Sequence, residues 1–191
     1  GQVFRVKARR EGILSTGPVN SPKLLMLSGI GDSGQLSEHG IDTVHHLPGV
    51  GENLHDHLAV WVQHACTQPI TLNSKLGPLS KALIGLRWLL FRDGLGATNH
   101  YESNGYIRSR PGLSFPDIQY HFLAGALVFD GSNTYSGHGF GALFNPAKPK
   151  SRGRLRLRSG DAAEAPTLLF NYLDHEEDRL IYRFGLKLTR E

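Results

Sequence analysis

Apolar residues recur at two spacings along this chain, and the changes of period mark its elements. Residues 2–8 and Gly12–Ser15 alternate or run apolar and predict two short strands. Ser21 suits a helix N-cap, Pro22 the first helical position and Gly29 the stop, so a helix is expected at about residues 22–28, with a second at about 33–39 ending at Gly40. Asp42–His46 reads as a strand leading into the turn Pro48-Gly-Val-Gly-Glu-Asn53, and the alternation from Leu58 predicts another. Pro78–Phe91 has helical spacing, with Leu79, Leu83, Leu86 and Leu90 on one stripe, Trp88 and Leu89 beside it, and Asp93-Gly94 as its stop. The period then shortens to two. Tyr101–Arg108, Asp117–Leu123, Gly139–Asn145 and Arg154–Ser159 read as strands separated by Gly, Pro, Ser or Asn, and a terminal helix starts near Asp174. Several strands in a row, with helices before and after, predict an α+β fold: an antiparallel sheet flanked by helices.

Composition narrows the class. In 191 residues, 39% are hydrophobic and 20% charged, too apolar for a disordered chain, and the 23 Gly and 10 Pro follow no collagen period. A single cysteine, Cys66, excludes an internal disulfide framework and a cysteine-based zinc module. No run of about 18 uncharged apolar residues is present. The net charge of +4 is mild and demands neither a nucleic-acid nor a membrane partner. The chain opens inside a strand pattern (Val3, Phe4, Val6) and closes in a helical one (Leu180, Ile181, Phe184, Leu188) with no Gly or Pro stop, so an internal segment of a longer polypeptide is expected.

Several short motifs invite a chemistry, and each has a plainer reading. Gly29-Ile-Gly-Asp-Ser-Gly34 matches the dinucleotide fingerprint by letter, but a helix precedes it and Asp32 would repel an anion, so a helix-to-helix connection is expected. Arg152, Arg154, Arg156 and Arg158 alternate with Gly153, Leu155 and Leu157; without interleaved aromatics this is a solvated strand face rather than a nucleic-acid groove. His55-Asp56-His57, near His45-His46, lacks the third ligand and second shell of a metal site and reads as a hydrogen-bonded polar turn, with one histidine functional. Ser28 in Leu-Ser-Gly-Ile-Gly lacks the nucleophile-elbow frame. His121, in Ile118-Gln-Tyr-His-Phe122, and Glu102, in Asn-His-Tyr-Glu-Ser-Asn104, read as polar strand and surface residues on spacing alone.

Taken in order, longer stretches resemble one family. Ala8–Gly31, containing Ser-Thr-Gly-Pro-Val-Asn-Ser-Pro-Lys-Leu-Leu-Met-Leu-Ser-Gly, is similar to the second signature stretch of the glucose–methanol–choline (GMC) oxidoreductases, flavoenzymes that oxidise alcohols. Pro48-Gly-Val-Gly-Glu-Asn-Leu-His-Asp-His57 resembles the turn that follows it; Phe115–Phe122, Lys150–Ser159 and Phe170–Asp174 resemble strands of the family's substrate domain. The resemblance covers the whole chain in register and is nearest to the choline branch. It implies that residues 1–57 are the C-terminal part of an FAD-binding α/β region and residues 58–191 an incomplete substrate-binding domain.

The resemblance also implies roles. FAD is the expected cofactor, with Ser15, Thr16, Gly17, Pro18 and Asn53 near the flavin nucleotide, because small residues let backbone approach it. His57, Tyr101, Glu102 and His121 are expected in the substrate pocket, Tyr101 as an aromatic wall and His121 beside the developing alkoxide. The family's pyrophosphate loop and its catalytic histidine fall before Gly1 and after Glu191, so no catalytic base and no metal ligand are expected in this stretch. The implied reaction moves hydride from a primary alcohol, choline or a relative, to FAD and gives the aldehyde; the 191 residues by themselves are expected to be inactive. Where the choline branch usually carries Glu two residues after the His of the Asp-His pair, this chain has Ala59, and Thr16-Gly-Pro replaces the usual Ala-Gly-Ala. A small-molecule alcohol is the implied partner, with an electron acceptor of unspecified kind, no nucleic acid and no transmembrane segment; a homo-oligomer and a cytoplasmic or peripheral-membrane location both stay open.

Overall fold

The computed structural model describes residues 4, 6–127, 135 and 137–191. The chain divides into two compact units, Gly1–His55 with Ser151–Tyr172, and Asp56–Lys150 with Leu173–Glu191. Ser151–Tyr172, expected with the second region, therefore packs with the first.

The first unit contains helix α1 (Gly17–Leu27), strand β1 (Ile30–Gly31), helix α2 (Ser33–Glu38), and strands β2 (His45–His46) and β3 (Glu52–Leu54). Its returning segment adds β8 (Gly153–Arg156) and β9 (Thr167–Leu169), the numbering leaving β4 to β7 for the second unit. Strands β1 and β2 pair in parallel with α2 between them, a miniature βαβ crossover, while β3, β8 and β9 form an antiparallel sheet. Met26, Leu36, Val50, Leu155 and Leu157 make the core, with Val19, Leu25, Leu27 and Ile41 packed against it. Leu155 and Leu157 point inward and Arg154 and Arg158 outward, the half-buried alternation expected of the arginine stretch.

Helix α1 begins five residues before its expected start. Pro18 takes the first-turn position assigned to Pro22, which lies inside the helix. Ser21, expected to cap, instead reaches back: its Oγ accepts from the Thr16 N–H at 3.1 Å. Asp32 caps α2 by accepting from the Gln35 N–H at 3.0 Å, so the loop of the Gly29–Gly34 motif is filled by its own carboxylate. Gly12–Ser15, expected as a strand, is irregular and exposed. Of the expected strand over residues 2–8, Gln2, Val3 and Arg5 lie outside the described residues; Phe4 and Val6 are in irregular backbone and exposed.

The second unit is the expected antiparallel sheet. It consists of β4 (Val60–Ala65), β5 (Ser103–Ile107), β6 (Ile118–Leu123) and β7 (Gly139–Pro146), in the spatial order β4-β7-β6-β5. Helix α3 (Pro78–Phe91) interrupts the chain between β4 and β5, and α4 (Glu176–Arg190) closes it. Period-two alternation gives the sheet two faces. One carries Val60, Val62, Ile118, Tyr120 and Phe144 against α4, whose Ile181, Tyr182 and Gly185 are buried. Tyr120 Oη lies 2.8 Å from Thr189 Oγ1, and Tyr182 Oη donates to the Leu58 carbonyl, fixing the helix on the strands. The opposite face carries Trp61, Asn104, Gln119, His121 and Leu143. Helix α3 buries none of its residues: Leu79, Leu83, Leu86 and Leu90, its apolar stripe, are 52–73% exposed.

Candidate functional site

Each unit presents one candidate site. In the first, a cleft of about 480 Å³ is lined by Pro18, Ser21, Pro22 and Leu25 of α1, the turn and strand Gly49–His55, and Leu155. The turn is fixed by hydrogen bonds from Val50 N–H to the Leu47 carbonyl (3.1 Å) and from Leu155 N–H to the Gly51 carbonyl (2.6 Å). Gly51 has φ +85°, and a Cβ there would meet the Leu155 carbonyl oxygen, so glycine is required by both conformation and space. Gly49 is different: a Cβ would meet nothing within 4 Å, leaving backbone exposed along the cleft. The one acid in the lining, Glu52, is paired with Arg156, and no acidic residue sits in the first turn of α1. Two prolines, three leucines, exposed backbone and a carboxylate paired with an arginine make a lining compatible with part of a flat, anionic cofactor. Of the expected cofactor residues, Pro18 and Asn53 line it, whereas Ser15 and Thr16 are exposed in the segment entering α1 and Gly17 is exposed as its first residue.

In the second unit the candidate substrate-facing residues gather on the sheet face away from α4. The loop Thr98–Glu102 is built by its own side chains: Thr98 Oγ1 accepts from the His100 N–H (2.8 Å) and donates to Glu102 Oε1 (3.1 Å), and Asn99 Oδ1 accepts from the Tyr101 N–H (3.1 Å). This delivers Tyr101 and Glu102 to the start of β5. Asn104 of β5 is directly opposite His121 of β6, and the row continues through Leu143 of β7 to Trp61 of β4. His121 Nδ1 lies 2.5 Å from Asn104 Oδ1, and the Tyr101 ring meets the imidazole edge-on with centroids 5.9 Å apart. The Trp61 indole lies over Gly141, where a Cβ would occupy its position.

The structure thus gathers Tyr101 and His121, with Glu102 adjoining. His57 is held separately, its Nε2 donating to the Ala147 carbonyl at 3.3 Å. The expectation missed Asn104. Its place on the same strand face as Tyr106 follows from the period of two, but its pairing with His121 depends on the register of β5 against β6, which sequence does not state. Among the described residues no group of three or more His, Cys, Asp or Glu is arranged to hold a metal ion, and no helix is long and apolar enough to cross a membrane. His46 Nδ1 instead meets Ser33 Oγ at 2.8 Å.

The GMC oxidoreductase family model matches residues 1–59. The chain is 55% identical over 191 residues to an oxygen-dependent choline dehydrogenase of Photobacterium profundum and 54% identical over 192 to one of Brucella ovis, in both cases across all of this chain. The chain is similar to GMC oxidoreductases, by the family model over residues 1–59 and by these relatives over its whole length. It spans 34% and 35% of the length of those curated relatives, about a third. A formate oxidase of Aspergillus oryzae RIB40, solved in a study of FAD modification, superimposes with a TM-score of 0.84 at 25% identity over 96% of this chain and 37% of its own. Pyridoxine 4-oxidase from Mesorbium loti gives 0.70 at 25% identity, over 91% and 30%. The α+β arrangement is therefore that of GMC oxidoreductases.

Proposed function

We propose that this chain is the middle of an FAD-dependent oxidoreductase that takes hydride from a primary alcohol, choline or a close relative, and releases the aldehyde. The observation that carries the reading is 54–55% identity to choline dehydrogenases through the whole chain. FAD would supply the hydride acceptor that no side chain provides. Pro18 and Asn53 would line its cleft, and Ser15, Thr16 and Gly17 would border it.

The substrate-facing roles fall to the second unit. Tyr101 offers an aromatic face to a quaternary ammonium, and Glu102 beside it offers the opposing charge. Ala59 carries no carboxylate, so in this reading charge recognition rests on Glu102. His121 faces the alcohol oxygen, where a ring nitrogen can hydrogen-bond the hydroxyl or, once protonated, the alkoxide. His57 would border the pocket.

The test uses a chain of the relatives' full length containing this segment. It is expected to be yellow with bound flavin and to oxidise choline. Glu102→Gln should raise KM for choline about tenfold or more while leaving an uncharged primary alcohol within about twofold. Loss of both substrates in parallel would remove Glu102 as the charge reader; absence of flavin and of alcohol oxidation in the unaltered protein would remove the proposal.

A second reading concerns the 191 residues alone. Because they span about a third of the relatives, they would turn over no alcohol by themselves. Flavin absorbance together with measurable turnover in a preparation of this chain would refute it.

A further inference from the structure

We infer that Asn104 is a positioning residue: its side-chain carbonyl holds His121 in the Nδ1–H tautomer and so turns Nε2 toward the alcohol oxygen. The part concerning the alcohol rests on the proposed function. The part concerning the tautomer stands on geometry alone.

Asn104 and His121 are directly opposed on adjacent antiparallel strands, so the pairing of β5 with β6 sets their separation rather than a loop. Nδ1 and Asn104 Oδ1 are 2.5 Å apart. An amide oxygen only accepts, so the hydrogen in that bond belongs to Nδ1. A neutral imidazole carries one N–H, which leaves Nε2 as the lone-pair nitrogen. Free imidazole side chains favour the opposite tautomer, so Asn104 selects the less common form. The Tyr101 ring, 5.9 Å away at an interplanar angle of 74°, stands against the imidazole and restrains its rotation.

The consequence for an alcohol follows from the same atom. A neutral His121 accepts a hydrogen bond at Nε2 from the substrate hydroxyl and orients its oxygen. When the ring is an imidazolium, Nδ1–H stays with Asn104 through a stronger, charge-assisted bond, and Nε2–H donates to an alkoxide. One partner therefore keeps Nε2 on the substrate in both charge states. Glutamine or histidine at position 104 would not reproduce this from the same backbone site, because neither places a carbonyl oxygen at asparagine's reach.

The tautomer is read directly. The 191-residue chain is labelled with 15N in histidine only, and long-range proton–nitrogen correlations are recorded above the histidine titration range, His121 being assigned by the signal that disappears in His121→Gln. The expected pattern is an Nδ1-protonated ring that reverts toward Nε2–H in Asn104→Ala and stays Nδ1–H in Asn104→Asp, whose carboxylate also accepts. An Nε2–H tautomer in the unsubstituted chain would overturn the inference, since Asn104 would then be donating its amide. The functional arm uses a chain of the relatives' full length: Asn104→Ala should lower kcat/KM for the alcohol about tenfold, the scale of one lost hydrogen bond, with Asn104→Asp less affected and flavin content unchanged. Unaltered kcat/KM in Asn104→Ala would refute the positioning role, and this arm holds if the labelled chain or a variant fails to fold. Failure of the proposed function looks different: the Nδ1–H tautomer would be seen, yet no alcohol would be oxidised by the unsubstituted long chain.

Discussion

Gly51 shows how little freedom a single position of the cofactor cleft has. Its φ of +85° is costly for any residue with a side chain, and a Cβ would press on the Leu155 carbonyl oxygen, which belongs to the backbone of β8. The two effects act in the same direction. Gly51→Ala should therefore destabilise by at least about 1–2 kcal/mol from conformation alone, measured as a lower urea midpoint with an unchanged slope. Gly49, two residues earlier, has open space around its Cβ position, so Gly49→Ala should leave that midpoint close to the unsubstituted value.

Among the elements, α4 gives the sharpest contest between two effects. Gly185 sits mid-helix over the Phe144 ring, with Phe144 fully buried. Alanine would raise helix propensity by about 1 kcal/mol, but its methyl would collide with Phe144 in a packed core, costing about 1–3 kcal/mol. Overpacking is the larger, so Gly185→Ala should lower the thermal midpoint; a raised midpoint would show that the ring yields easily. The same helix begins with Glu176, Glu177 and Asp178, which suit its positive end. Glu177 pairs with Lys150 and with Arg110 at 2.7 Å. Those contacts, Lys150 first, lower its pKa from 4.5 to about 2. Because the folded value lies below the unfolded one, the contribution is complete above about pH 4.5 and is lost as pH falls toward 2. The gap in thermal midpoint between the unsubstituted chain and Glu177→Gln should accordingly be widest near neutrality and close on acidification through that range.

The elements also show what sequence made readable. Pro78 and the glycine after Asp93 bracket α3, and its bounds were legible to the residue. The strands expected at Asp117–Leu123 and Arg154–Ser159 form over Ile118–Leu123 and Gly153–Arg156, with the leucines of the second inward as its alternation implies and Phe122 of the first exposed. Helix α1 was misjudged because two prolines four residues apart both suit a first turn, and local spacing cannot choose between them. Gly12–Ser15 has the apolar residues of a strand but no partner strand among the described residues, and without a ladder it stays irregular. Family resemblance put Tyr101 and His121 in one expected site, and their rings do lie together, whereas the contact between His121 and Asn104 arises only once β5 and β6 are in register.

At the scale of the molecule, the division into units does not follow the order of the chain. The first unit is made of two stretches, and so is the second, interleaved with it. Strand β3 pairs with β8 across the whole of Asp56–Lys150. The closure entropy grows only slowly with that length, so stability is little affected. Timing is another matter. During synthesis from the N-terminus, β3 has no partner until the intervening unit has been translated, a wait on the order of ten seconds at usual elongation rates. Nor can either unit be expressed from one uninterrupted stretch of coding sequence: cutting the gene after His55 would leave the first unit without β8 and β9, and in the remainder β8 would keep β9 but lose β3 from its other edge.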